Sequence, residues 1–152
     1  MRFSLTSSAK QKAKMNCDNL PQVAMPFMNT VHCEELTIVN RLDELLSADE
    51  ISEPEISACL DEWVTHTEAH FARENRLMEE YRFPAYLIHM GEHEHAYQYL
   101  LDLQKSWNEH HNTETLKTYV KETWPAWFEQ HLNTMDAVTA QFLSQFNIEV
   151  EI

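Results

Sequence analysis

The chain has 152 residues, enough for one domain with a full core, and a single glycine and five prolines leave little material for hairpin turns. A net charge of −14 excludes a phosphate-binding surface for nucleic acid and disfavours an anionic membrane. No transmembrane-length apolar run occurs and residues 1–16 have no signal-peptide core, so a cytoplasmic location is expected. Cys17, Cys33 and Cys59 have no metal-binding spacing and are read as reduced thiols.

Residues 1–19 are polar and poorly periodic, and read as a flexible arm preceding one domain over 20–152. The first predicted helix covers about 21–46, with Met28, His32, Glu35, Val39, Leu42 and Leu46 at helical spacing. Ser52 with Glu55 three later is a capping box, and Pro54 suits a first turn. The second helix carries Leu60, Trp63, His66, His70, Glu74 and Met78 on one side, and Phe83-Pro84 breaks it. The third begins near Ala85 and turns Tyr86, His89, His93, Tyr97 and Leu100 inward. His110-His111-Asn112 forms a loop, and a fourth helix runs to about Phe146. Pro125 requires a kink there, or a break with a new helix starting at Thr123. Four helices with short connections predict an all-α, up-down-up-down antiparallel four-helix bundle with an N-terminal arm.

Five histidines and two carboxylates fall on the expected inner faces: His32, His70 with Glu74, His89 with His93, and His131 with Asp136. Residues four apart project from one side of a helix, so two of these pairs each aim two ligand atoms at one point. Imidazole with carboxylate suits iron, zinc or copper better than magnesium or calcium. The set is too large for one ion and about right for two. Asp136 follows His131 by five residues rather than three or four, so it must reach around its helix or be re-aimed by a π-bulge.

This order of residues resembles the hemerythrin family: one histidine on the first helix, then HFARE (70–74), HMGEH (89–93) and HLNTMD (131–136). The similarity runs from about Leu20 to Phe142 and includes Phe71, Met78, the Phe83-Pro84 break and Trp127. The resemblance implies two iron ions with a bridging oxo or hydroxo oxygen. His89, His93 and His131 would hold one ion and His32 and His70 the other, with Glu74 and Asp136 bridging. Of the coordination positions on two six-coordinate ions, that count leaves one vacant, where dioxygen or another small diatomic ligand would bind reversibly.

The function so implied is oxygen storage, delivery or sensing by a binding protein without catalytic residues. Two alternatives stand beside it: a di-iron oxidase, peroxidase or nitric oxide-handling enzyme, and an iron-homeostasis or iron-repair module. Glu35 replaces the leucine that oxygen carriers of the family usually place three residues after the first histidine, and His66 replaces a common tyrosine. Glu35, His66 and Trp127 are therefore candidates for the dioxygen pocket or for contacts behind the metal ligands. Glu35 and His66 are expected to meet each other, the open iron, or a water on it. Trp127, Phe128 and Leu132 are expected to supply apolar wall.

Overall fold

The computed structural model describes residues 14–151, and all regular structure among them is helical. Helix α1 spans Pro26–Leu46, α2 Glu53–Glu80 and α3 Tyr86–His110. The fourth stretch, α4, is composite: Thr113–Thr118, a π-turn over Tyr119–Thr123, Trp124–His131, a second π-turn over Leu132–Asp136, and Ala137–Leu143.

Local chemistry explains most of the boundaries. The Ser52 hydroxyl accepts the Glu55 N–H at 3.4 Å, with Pro54 in the first turn of α2, as the sequence predicts. α1 starts five residues later than predicted. Pro21 and Pro26 hold Leu20 and Met25 away from helical backbone, and the Asn29 amide pairs with Val23, accepting its N–H at 2.8 Å and donating to its carbonyl at 3.0 Å. α3 ends on His111, whose φ of 52° is left-handed, and Asn112 then caps α4 by accepting the Glu114 and Thr115 N–H groups. The π-turn at Tyr119–Thr123 lies directly before Pro125, so the register shift falls where proline cannot continue the α ladder.

Two apolar clusters fill the interior. The larger centres on Trp63, Trp107, Trp124, Phe128, Leu36, Leu60 and Leu132. At roughly 150–250 Å² and about 25 cal/mol per Å², each buried aromatic supplies about 4–6 kcal/mol of transfer free energy, against which chain entropy is set. The smaller joins Met25, Met28, Leu77, Ala140 and Leu143. Along α1, α2 and α4 the metal-type residues occupy the interval between them: His32 between Met28 and Leu36, His70 and Glu74 between Trp63 and Leu77, His131 and Asp136 between Phe128 and Ala140.

Of the predicted arm, residues 1–13 lie outside the described residues. Residues 14–19 lie against α1: Lys14 pairs with Asp43 at 2.9 Å, and Asn40 donates to the Met15 carbonyl at 3.0 Å. Cys17 and Cys33 form a disulfide, with Cα atoms 5.1 Å apart. The expectation of three reduced thiols is thus corrected; only Cys59, buried under Ile38, is free. Sequence separation hid the pair, which forms because the segment folds back along the helix. Disulfides persist mainly in oxidising compartments, so the cytoplasmic expectation loses the support that reduced thiols lent it. No helix among the described residues is long and apolar enough to cross a membrane.

Candidate metal centre

The helices bring together all seven residues singled out by spacing. His32, Glu74, His89, His93, His131 and Asp136 are each at most 3% exposed, and His70 is 4% exposed. They fall into two groups of ligand atoms, His89, His93, His131 with Asp136, and His32, His70 with Glu74. The second π-turn places Asp136: with i→i+5 bonding, five residues make about one turn, so it stacks on the same face as His131.

The carboxylates span both groups. Glu74 turns Oε2 toward His70 Nε2 at 2.8 Å and Oε1 toward His93 Nε2 at 3.3 Å. Asp136 turns Oδ2 toward His32 Nε2 at 3.0 Å, and Oδ1 toward the Nε2 atoms of His89 and His131, both at 3.3 Å. Each carboxylate therefore offers one oxygen to each group, the arrangement of a bridging ligand.

The outer nitrogens of four rings are held from behind. His70 Nδ1 donates to Glu35 Oε1 at 3.1 Å, and His93 Nδ1 to Asn75 Oδ1 at 2.8 Å. His131 Nδ1 donates to Glu92 Oε1 at 3.3 Å. His89 Nδ1 donates to Thr139 Oγ1 at 2.7 Å, while that hydroxyl gives its own proton to the Met78 sulfur. In a neutral ring, protonation at Nδ1 leaves a lone pair on the inward Nε2. Two of the Nε2 atoms, on His89 and His131, face each other across 3.2 Å, and His32 Nε2, His93 Nε2, Glu74 Oε1 and both Asp136 oxygens approach their neighbours without forming a well-directed hydrogen bond. Converging buried lone pairs repel unless a cation lies among them. The donor set fits metal ions.

Electrostatics agree. Burial alone would raise the carboxyls, but His70 and His93 hold Glu74 well below the carboxylate range, and His131, His32 and His89 do the same for Asp136. His70 is lifted well above its ordinary value because Glu74 and Glu35 outweigh its desolvation, and His131 is raised by Asp136 against the same burial. Desolvation wins at His93, which falls to about 4.

The chain matches the family described as "Hemerythrin HHE cation binding domain" over residues 24–143. The chain belongs to the hemerythrin family. Two curated relatives agree: a bacteriohemerythrin from Aquifex aeolicus is 30% identical over 126 residues, covering 83% of this chain and 95% of that protein. A bacteriohemerythrin from Ralstonia nicotianae is 29% identical over 114 residues, 75% of this chain and 77% of its own. No solved structure is a significant match.

For a hemerythrin-family chain, the surroundings of the cluster depart from expectation in one respect. Glu35 is buried and groups with His66 and His70, their ligand atoms all within 4.8 Å of one another, but it makes no hydrogen bond to His66; its oxygens take the N–H groups of His70 and, at 3.0 Å, of Trp63. His66 is half-buried and turns Nε2 outward to Glu34 at 3.2 Å. Trp127 stacks on His131 with centroids 4.6 Å apart and donates to Glu92 at 3.3 Å, so its contacts lie behind a ring of the buried cluster. Phe128 and Leu132 are buried, Phe128 with its edge against His32.

Sequence spacing missed Asn75, Glu92 and Thr139. Thr139 alone left a signal, as a polar residue in line with buried positions near the end of α4. Asn75 and Glu92 each directly neighbour a metal-type residue and are not on the inward stripe.

Proposed function

We propose that this chain is a non-haem di-iron protein that binds dioxygen reversibly at one open iron position, for storage, delivery or sensing. The carrying observation is the pairing of two ligand groups, three histidines and two, by carboxylates that each point one oxygen at each group. His89, His93 and His131 are assigned to one ion and His32 and His70 to the other, with Glu74 and Asp136 as bridges. A ferrous pair bound there supplies the electrons and the vacant position for a diatomic guest.

The protein's own contribution is orientation and dryness. Hydrogen bonds to Nδ1 of four rings fix the tautomer that aims Nε2 inward. Phe128 edges against His32 at 5.6 Å, and Phe71 lies 5.2 Å from His70 and stacks on His93 at 4.0 Å, so apolar rings flank both groups and exclude water. Exclusion of water withholds the protons that would drive a reduced guest off irreversibly. The up-down-up-down order belongs to the same reading. Asp43 near the end of α1 meets Lys121 early in α4, while Met28 at the start of α1 clusters with Leu143 at the end of α4 and Leu77 at the end of α2.

Anaerobic loading with ferrous salt, metal counting, and one cycle of dioxygen addition and removal test this. Two irons per chain and an absorption band that appears with oxygen and vanishes on its removal are expected. A metal count near zero refutes the reading. Irreversible oxidation on the first cycle selects an oxidase in place of a carrier.

A further inference from the structure

We propose that Glu35 is the positioning residue of His70, and that it places a buried negative charge behind the two-histidine ligand group alone. This rests on the metal-centre reading above and says which part of that centre is tuned.

Glu35 is 3% exposed and both of its oxygens are committed, Oε1 to His70 Nδ1 at 3.1 Å and Oε2 to Trp63 Nε1 at 3.0 Å. Trp63 and His70 are seven residues apart on α2, two turns along one face, so one carboxylate spans the turn that carries buried Thr67 and ties two inward side chains together. Trp63 has no freedom to release it: the indole is fully buried, with Tyr119 and Trp124 each 5.7 Å away.

The partners behind the other group are of a different kind. His89 and His93 rest on the neutral oxygens of Thr139 and Asn75. His131 rests on Glu92, whose side chain is 38% exposed, so solvent screens its charge. Only His70 has a fully buried carboxylate at its outer nitrogen. Such a partner locks the ring plane and increases the electron donation of Nε2 to a metal. His66 does not share this role, because its Nε2 is taken by Glu34.

The test compares wild type, Glu35→Gln and Glu35→Leu, each loaded with two equivalents of ferrous ion under argon and then titrated with a chelator while bound iron is counted. Loss of such a partner weakens metal binding roughly 10–100-fold. We expect Glu35→Leu to shed one of its two ions at a chelator concentration lower by that factor while the second ion is held as in wild type. Glu35→Gln, which still accepts the His70 N–H but carries no charge, falls between. Should the leucine variant not fold, the glutamine variant decides, with weakening of one ion at an unchanged melting temperature expected. Equal weakening of both ions, or none, in a folded variant of a wild type that holds two overturns the role of Glu35 and leaves the metal centre standing. A wild type that takes up no iron overturns both.

Discussion

The disulfide between Cys17 and Cys33 closes a loop with a sequence separation of 16 residues. A chain-entropy model assigns about 3 kcal/mol to a closure of that length at 25 °C, acting on the unfolded state. For a chain of this size that corresponds to a melting temperature lower by about 6–12 °C when the bond is removed. Replacing both cysteines by serine, with Cys59 left in place, isolates the effect. The assay is denaturant and thermal unfolding of the iron-free protein, wild type against Cys17→Ser/Cys33→Ser, with and without reductant. Wild type under reductant should coincide with the double variant, and the denatured, unreduced wild type should titrate one free thiol. Three free thiols in that sample, or a stability difference under about 0.5 kcal/mol, would refute the assigned pairing or its energetic role.

Three further outcomes follow from the same geometry. Glu74→Ala, which removes an oxygen from each ligand group, should release both ions together, whereas His93→Ala should weaken one first; metal counting after dialysis separates them. Phe128→Ala removes a fully buried ring stacked on Trp124 at 4.6 Å and should cost about 3–5 kcal/mol in unfolding free energy, with faster oxidation of a loaded centre as water enters beside His32. In the metal-free protein His70 is raised well above 6.5, so its contribution to stability is full below that value and is lost as pH rises through its folded pKa. Metal uptake must displace this proton, so iron binding at pH 7 should release acid to an indicator dye in weak buffer and tighten as pH rises; no proton release would contradict the assigned protonation of His70.

The clustered residues were legible because helical periodicity is local: four-residue spacings put His70 with Glu74 and His89 with His93 on single faces wherever the helices pack. Even the irregular interval from His131 to Asp136 carried information, since two inward residues five apart need either a side chain reaching around the helix or a π-turn, and the π-turn is found at Leu132–Asp136. What sequence did not reveal depends on contacts between elements. Thr139 reaches His89, and Asn75 reaches His93, across helix pairs whose rotation no single-helix pattern specifies. Glu35 and His66 share inward stripes, yet a small rotation gives Glu35 to His70 and Trp63 and leaves His66 to Glu34. The Cys17 pairing depends on a segment without periodicity folding back on α1.

The chain as a whole carries a net charge of −14, part of it on the buried carboxylates Glu35, Glu74 and Asp136. Such a field favours the approach of cations, while anions must climb it. Raising ionic strength should therefore speed the entry of anionic inhibitors and leave the arrival of uncharged oxygen unaltered, a selectivity filter spread over the whole exterior instead of residing in any gate.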